Sequence, residues 1–487
     1  MPRIRRLTTT AIIVGIALAF VGAAPQRGGG AANAEAATAK RFAAIRADPL
    51  LLFAFLREMP KGGDLHSHLS GSIYAESYLR WAADDKLCVV VATMTIAGGT
   101  CDATTGNPPA IALFQNAALY NQAIDAMSMR NWNPALNGHD HFFGAFGKFG
   151  LATFNRPGDM LAEIMSRAAA EHVSYIEVML TPALDSLSRF ASRIGPMTGP
   201  SPDVAAAREQ LLAAGFSSAV ESEAHARLDT MEARQRELLR CGTAQADAGC
   251  TVTVRYVAQV TRASAPAQVF TQMVAWFELA GVEPRVVSLN LVQPEDEPNA
   301  VRDFTLHMSM LDYLHRQYPR VPITLHAGEL VEGLVPPEAL RSHIRESVRT
   351  GHASRIGHGV DIFSEDDPFG LLRDMAEKRV LVEIALSSND QILGVRGTRH
   401  PLRHYLQHGV PVALATDDMG VARSSHTQEF VKAVEEQGLD YPTLKRMVRN
   451  SIEYSFADSA TKTRLKADLE AAFAAFERRR AAPLPKS

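Results

Sequence analysis

The sequence predicts an α/β protein, a TIM-like (β/α)8 barrel with small insertions, and three observations support this fold class. Eight short apolar segments have the character of strands, and helical patterns separate most of them. Strands that alternate with helices imply parallel βαβ units, and eight such units suggest a closed barrel. Polar residues follow several of these segments directly, at the carboxyl ends where barrel enzymes build their sites.

The eight predicted strands run through most of the chain. They are Asp64–Leu69, Tyr175–Leu180, Val252–Val260, Arg285–Val292, Ile323–His326, Arg355–His358, Leu381–Leu386 and Val412–Thr416. Helices are predicted over residues 35–60, ending at Pro60, and over Val301–Gln317, Pro337–Thr350 and Pro368–Lys378. An open doubly wound sheet is the alternative. It would place a glycine-rich phosphate loop after the first strand, whereas Gly62 and Gly63 precede that strand.

The N-terminus has the pattern of an export signal. Basic residues at positions 3, 5 and 6 precede an apolar run that starts at position 11, and Ala32-Asn33-Ala34 offers a cleavage site. Residues 1–34 are therefore predicted to be a signal peptide of an exported protein, periplasmic or secreted. An uncleaved membrane anchor is the alternative. Residues 35–480 are predicted to form the barrel domain, residues 481–487 a flexible tail, and no membrane association is expected after cleavage.

The net charge bears on possible partners. Its value of -3 shows no basic excess, so no nucleic acid is expected as a partner.

Two segments near residues 82–110 and 185–250 look inserted, and each holds two of the four cysteines. Four cysteines allow three pairings, of which the local ones, Cys88 with Cys101 and Cys241 with Cys250, are the simplest. Residues 89–96 could form a small hairpin in the first insertion.

Two histidines at the end of the first strand point to a metal. His66 and His68 are two residues apart, so on a strand their imidazoles lie on the same face. His326 ends the fifth strand and Asp417 follows the eighth, and a barrel brings all three strand ends to one mouth. Imidazole nitrogen and carboxylate oxygen suit zinc, which keeps a position open for water at catalytic sites. These four residues are the predicted zinc ligands.

Two further residues are placed to move or hold protons. Glu329 lies three residues after His326, outside the predicted metal ligands, where it could donate a proton. His358 lies between two glycines that let the backbone approach closely, and it could orient or deprotonate the metal-bound water.

Together these motifs resemble the adenosine deaminase family of metal-dependent hydrolases. The motifs, in the family's order, are His66-X-His68, His326-Ala-Gly-Glu329, Gly-His358-Gly and Asp417-Asp418. Residues 59–66 and the run His139-Asp140-His141-Phe142-Phe143 resemble the secreted branch, the adenosine deaminase-related growth factors. The similarity covers roughly residues 55–460.

The resemblance implies a mechanism. One zinc per subunit would carry a hydroxide that attacks C6 of a purine nucleoside, and adenosine would become inosine and ammonia. Glu329 would protonate N1, and His358 would take the water's proton or hold the hydroxide. Asp418 would be a third catalytic residue that contacts the base and helps to place the water. Homodimers are common in the secreted branch, and whether this chain forms one stays open.

Three positions depart from the family pattern. Ser70 stands where the best-known members have an acid that contacts the sugar, and Gln293 replaces a glycine whose backbone meets the purine. Met419 replaces a proline after the paired aspartates. Ser70, Gln293 and Asp418 are the predicted substrate-binding residues, and the first two departures leave the preferred nucleoside open.

Two other functions remain as alternatives. The first is deamination of another aminopurine, such as adenine or methylthioadenosine. The second is a secreted binding or signalling protein with a vestigial site, against which the complete ligand set and Glu329 argue. The remaining histidines are predicted to be structural, pocket-lining, surface or helix residues; they include His139, His141, His400, His404, His408 and His426.

Overall fold

The structure is a computed structural model that describes residues 28–133, 137–197 and 202–481. Residues 1–27 of the predicted signal peptide and 482–487 of the predicted tail lie outside the described residues. No described helix is both long enough and apolar enough to cross a membrane. The strands are β1 (Gly62–His68), β2 (Cys88–Val90), β3 (Thr95–Ala97), β4 (Val173–Leu180), β5 (Thr253–Thr261), β6 (Val286–Val292), β7 (Thr324–Ala327), β8 (Arg355–His358), β9 (Leu381–Ile384) and β10 (Val412–Leu414).

Helices surround these strands and connect them. They are α1 (Gly28–Ile45), α2 (Pro49–Arg57), α3 (Ala75–Asp84), α4 (Ala117–Ala126), α5 (Gly138–Thr153), α6 (Pro157–Ala170), α7 (Leu184–Phe190), α8 (Val204–Ala213), α9 (Phe216–Leu238), α10 (Pro266–Ala280), α11 (Pro298–Gln317), α12 (His343–Arg349), α13 (Pro368–Lys378), α14 (Leu386–Leu393), α15 (Leu402–Gln407), α16 (Met419–Ala422), α17 (His426–Glu435), α18 (Tyr441–Glu453) and α19 (Ser459–Ala481).

Eight parallel strands close into a barrel, which confirms the predicted fold class. One group runs in the order β1-β4-β5-β6 and the other in the order β10-β9-β8-β7. Two parallel bridges join the groups, one between Leu289 and Ile323 and one between Ser67 and Asp417. At the second junction the Asp417 amide donates to the His66 carbonyl at 2.8 Å. Barrel closure therefore runs through the residues predicted to bind metal.

The outer helices pack through apolar stripes, as α18 illustrates. Its buried residues Leu444, Val448 and Ile452 recur every four positions, and the helix packs against β1 and β10. Asp440 caps the helix by accepting a hydrogen bond from the Thr443 amide at 2.9 Å. The same face carries Ser451, whose hydroxyl accepts a hydrogen bond from the Gly63 amide at 2.7 Å. The helix is thereby fixed to the base of the first barrel strand.

Both segments that look inserted contain local structure closed by a disulfide. β2 and β3 form an antiparallel hairpin in the first, near the bond between Cys88 and Cys101. The second is mostly helical, from α7 to α9, and ends with the bond between Cys241 and Cys250. The structure thus contains the two local pairings favoured from the sequence.

Several predicted element boundaries are wrong, among them the following three. Residues 35–60 form two helices, because the Asp48 side chain caps α2 by accepting from the Leu50 and Leu51 amides, and proline follows it. The strand predicted to reach Leu386 ends at Ile384, and Leu386 begins α14. Residues 337–350 hold a short 3-10 turn and then α12, where one helix was predicted.

We expect peptide mapping of the unreduced protein to recover Cys88 linked to Cys101 and Cys241 linked to Cys250. The paired change Cys241→Ser and Cys250→Ser should lower the free energy of unfolding by about 2–3 kcal/mol, because a short closed loop removes that much chain entropy from the unfolded state. Denaturant unfolding measures the loss. A peptide joining the two insertions would contradict the pairing.

Candidate metal and catalytic site

Four side chains converge at the carboxyl-terminal mouth of the barrel. Nε2 of His66 lies 3.0 Å from Nε2 of His326 and 3.3 Å from Oδ1 of Asp417. Nε2 of His68 lies 3.3 Å from Nε2 of His326 and 3.4 Å from the same carboxylate oxygen. The ligand atoms of all four residues lie within 4.8 Å of one another. The structure thus brings together the residues predicted as metal ligands.

The spacing of these four atoms fits a small divalent cation. A tetrahedral ion with bonds of about 2.0–2.1 Å separates neighbouring ligand atoms by about 3.3 Å. The four distances just given, 3.0 to 3.4 Å, match that geometry. Burial alone would lower the pKa of His66, but hydrogen bonds to Asp417 and Glu383 raise it to about 10. The two carboxylates therefore favour positive charge at Nε2 of His66, which is a proton in the metal-free ring and which a bound metal ion would replace.

Hydrogen bonds set the tautomers of two of the imidazoles. Nδ1 of His66 donates to Oε2 of Glu383 at 2.7 Å, and Nδ1 of His326 donates to Oδ1 of Asn290 at 2.8 Å. A ring that donates through Nδ1 keeps a free electron pair on Nε2, as a metal ligand must. For the third ring, His68, the carboxamide of Gln259 lies 3.1 Å from Nδ1.

A buried ion pair holds Glu383 in turn. Nε of Arg355 donates to Glu383 at 2.6 Å, and the Thr324 hydroxyl donates to the same oxygen at 2.9 Å. Arg355 also pairs with Glu177 at 2.5 Å. Burial alone would raise the pKa of Glu383, but Arg355 and His66 lower it to about 2. Glu383 is therefore ionised and holds the Nδ1 proton of His66.

Glu329 is a buried carboxyl whose surroundings favour its protonated form. Burial, together with the charges of Asp417 and Glu295, holds its pKa well above the usual range. The backbone amides of Gly328 and Glu329 donate to Glu295 at 3.2 and 2.9 Å, which fixes the turn that carries the carboxyl. A neutral carboxyl beside the metal ligands is a proton donor.

His358 enters the same cluster from β8. Its Nε2 lies 3.7 Å from Oε1 of Glu329, and Nδ1 lies 2.9 Å from Nδ2 of Asn389. Burial lowers the pKa of His358 to about 4, so the ring is neutral. Its φ of +68° is unusual for a side-chain-bearing residue and turns the ring toward the site.

The two aspartates after β10 lie in different environments. Asp417 has a φ of +56°, which turns its carboxylate toward the three imidazoles. Burial raises the pKa of Asp418 to about 8, which favours the protonated carboxyl. Gly71 makes room for that carboxyl, because a Cβ at Gly71 would lie 1.5 Å from Oδ1 of Asp418.

A pocket of about 400 Å³ opens onto this cluster. Two of the three departures from the family pattern, Ser70 and Gln293, line it, together with Asp418. Gln293 has a φ of +77°, which explains why a glycine suits this position. Its side-chain oxygen accepts a hydrogen bond from the Ala263 amide at 3.1 Å. The side chain thereby ties the loop after β6 to the loop after β5 at the pocket rim.

The other histidines fall outside the metal cluster. His139 contacts Asp296 at 2.9 Å, and His141 contacts the carbonyls of Asp125 and Ser128, so both have local partners, as predicted. His400 is neither a surface residue nor in a helix: it is buried, with 2% of its surface exposed. It lies behind Asn389 because residues 397–400 fold back over α14.

Sequence reasoning missed the residues that support the ligands. Glu383, Glu177 and Arg355 each lie in or beside an otherwise apolar strand segment. A charge inside such a segment is the signal that could have revealed them, since a buried charge requires a partner.

The sequence is similar to a known protein family and to several of its curated members. The sequence model of the family described as Adenosine deaminase matches residues 153–472. An adenosine deaminase from Clostridium perfringens is 31% identical over 145 residues, which are 30% of this chain and 40% of that protein. One from Escherichia coli strain SE11 is 32% identical over 145 residues, with the same shares of 30% and 40%. The chain thus spans about two fifths of the length of the curated relatives it matches.

Solved structures share the fold. The N6-methyl-AMP deaminase of Arabidopsis thaliana aligns with a TM-score of 0.55 at 19% identity and covers 86% of this chain and 98% of that one. An amidohydrolase from Burkholderia ambifaria with bound Zn aligns with a TM-score of 0.56 at 18% identity and covers 88% and 95%. At such identities the alignments establish the barrel architecture.

Replacing Glu383 should weaken metal binding. Glu383→Gln removes the charge that holds the Nδ1 proton of His66, and we expect the zinc affinity to fall by about 10–100-fold. Competition with a chromophoric chelator measures the affinity. Glu377→Gln, the same change on the exposed face of α13, is the matched control. Equal affinities in the two variants would contradict the supporting role of Glu383.

Proposed function

Because the chain belongs to the adenosine deaminase family, we propose that this aminohydrolase converts adenosine, or a related 6-aminopurine nucleoside, to inosine and ammonia. One observation carries the proposal: a buried Glu329, in surroundings that favour its protonated form, faces the same pocket as three imidazoles and a carboxylate spaced for a metal. A purine could thus meet a proton donor and an activated water together.

We propose zinc as the metal, one per subunit, held by His66, His68, His326 and Asp417. Three imidazole nitrogens and one carboxylate oxygen are the donor types that zinc takes in hydrolases. When bound, the metal supplies Lewis acidity that makes a water molecule nucleophilic at neutral pH.

The chain's own residues supply the proton and the orientation. Glu329 donates its proton to N1 of the base as water oxygen adds to C6, which relieves negative charge on the ring. Of the two protons that the water loses, one restores the Glu329 carboxyl and the other goes to the departing nitrogen, so the C6–N6 bond breaks and ammonia leaves. Burial favours the protonated form of Asp418, which can donate a hydrogen bond to an acceptor nitrogen of the base and so orient the ring.

The charge of the pocket favours a nucleoside over a nucleotide. None of its lining residues is lysine or arginine, whereas Glu297, Glu329, Asp417 and Asp418 all line it. Glu329 and Asp418 favour their neutral forms and Asp417 is assigned to the metal, so the carboxylate that a phosphate would meet is the exposed Glu297. No lysine or arginine lines the pocket to offset that repulsion between like charges. The uncharged 5′ end of adenosine meets no such penalty.

We also propose that residues 1–34 direct export. The two disulfides support this, because such bonds persist in oxidising compartments.

The first test is deamination itself. Purified protein mixed with adenosine should reduce the ultraviolet absorbance of the adenine band and release ammonia. A chelator should stop the reaction and added zinc should restore it. If zinc-loaded protein releases no ammonia from adenosine, adenine or methylthioadenosine, a binding role replaces the proposed function.

Replacing Glu329 should separate chemistry from metal binding. Glu329→Gln removes the proton donor but none of the four ligands, so we expect kcat to fall by about 10²–10⁴-fold with zinc content unchanged. Glu332→Gln, on the exposed part of the same loop, is the control. Normal turnover by Glu329→Gln would contradict the assignment.

Substrate charge provides a further test. We expect kcat/KM for AMP to be at least about 100-fold below that for adenosine, and Glu297→Lys to narrow the gap severalfold, because a cation at the rim pairs with phosphate. Glu332→Lys makes the same charge change away from the pocket. Comparable rates for AMP and adenosine in the unmodified protein would refute a nucleoside preference.

A further inference from the structure

A buried chain of hydrogen bonds runs from the backbone of Leu402 to the imidazole of His358. The Leu402 amide lies 3.2 Å from Nδ1 of His400. Nε2 of His400 lies 3.0 Å from Oδ1 of Asn389, and Nδ2 of Asn389 lies 2.9 Å from Nδ1 of His358. All three side chains are buried, with at most 2% of each residue exposed.

Each hydrogen bond in this chain has one possible direction. A backbone amide can only donate, so Nδ1 of His400 accepts and the neutral ring carries its proton on Nε2. That Nε2–H donates to Oδ1 of Asn389, which leaves the amide nitrogen facing His358. The amide nitrogen can only donate, so Nδ1 of His358 accepts and its proton lies on Nε2.

Burial disfavours a charged ring in this chain of hydrogen bonds, and it lowers the pKa of His400 to about 3. A second proton on either ring would also require two donors to face each other across a hydrogen bond. The tautomer is therefore set by the direction of the chain and is the same throughout the neutral pH range.

The free end of the chain points at the reaction centre. Nε2 of His358 is buried and has no hydrogen-bond partner among the described residues, and it lies 3.7 Å from Oε1 of Glu329. The ring centroid lies 5.0 Å from that of His66 and 5.1 Å from that of His326. The Nε2–H group of His358 could therefore donate a hydrogen bond to an oxygen atom held beside the metal ligands.

We propose that Asn389 and His400 are positioning residues that hold His358 as an Nε2–H hydrogen-bond donor to the attacking oxygen. His358 then holds the nucleophile and does not take its proton, which decides between the two roles that the family resemblance leaves open. The inference rests on the proposed function for the identity of that oxygen. A donor fixed in a dry site stabilises charge that develops on oxygen in the transition state.

The direct test is the tautomer of His358. In protein with 15N-labelled histidine, examined both free of metal and zinc-loaded, two-bond correlations distinguish protonated from unprotonated ring nitrogens. The set of imidazole signals that disappears in the His358→Gln variant is assigned to His358. We expect a protonated Nε2 and an unprotonated Nδ1 in both states. A protonated Nδ1 would overturn the proposal, whether or not the protein deaminates adenosine.

Reversing the direction of the hydrogen bond between Asn389 and His358 should reverse the tautomer of His358. Asn389→Asp places an acceptor opposite Nδ1 of His358, so this nitrogen becomes the donor and Nε2 loses its proton. We expect the NMR signature to invert and kcat to fall by about 100-fold, with KM and zinc content within about twofold. Unchanged kcat with an inverted tautomer would refute the role in catalysis.

A neighbouring residue gives the matched control. Asp390→Asn is the opposite exchange one position along α14, where the carboxylate pairs with Lys432 at 3.0 Å outside the site. We expect its tautomer signals and kcat to match those of the unmodified protein.

If Asn389→Asp fails to fold, the spectrum of the unmodified protein still decides the proposal. If the tautomer is as expected but no aminopurine is deaminated, the proposed function fails and not the hydrogen-bond direction.

Discussion

The pairing of Arg355 with two carboxylates supports the architecture of the site. Arg355 lies at the start of β8 and reaches Glu177 on β4 and Glu383 on β9 across the barrel interior. Glu383 in turn orients His66, so a metal ligand on β1 depends on a guanidinium three strands away in the second half of the barrel. Loss of the guanidinium would leave two buried carboxylates unpaired, a change that costs about 3–5 kcal/mol in such settings.

This arrangement departs from the usual aliphatic interior of a (β/α)8 barrel. Inward-facing positions normally hold branched apolar residues, whereas here Glu177, Arg355 and Glu383 form a polar layer beneath the metal ligands. Each member is paired or hydrogen-bonded, so the layer avoids the penalty of an orphaned charge. The apolar helices outside the barrel provide the burial that stabilises the fold, while the interior sets the electrostatics of the mouth.

Backbone strain is concentrated at the strand ends around the pocket. His358, Asp417 and Gln293 all have φ values of +56° to +77°, a region that costs a side-chain-bearing residue about 1–3 kcal/mol. Nearby glycines accommodate the side chains that these turns project: Gly357 leaves space for the ring of His66, and Gly71 for the carboxyl of Asp418. The surrounding barrel holds these conformations, and a rigid site needs no reorganisation when charge develops.

The sequence by itself determined the barrel and the set of residues that meet at its mouth. Alternating strands and helices impose the topology, and a polar residue at the end of a parallel strand can lie only at the carboxyl edge, so His66, His326 and Asp417 had to converge. Only the tertiary structure decided which residues support and orient the side chains of the site. The supporting residues are distant in sequence from the side chains that they contact; they are Glu383, Asn290, Asn389 and His400. The periodicity of a strand shows which residues face inward, but it does not show which of them are in contact across a barrel. Their roles follow from packing and hydrogen-bond direction, which depend on distances between strands and loops and not on spacing along the chain.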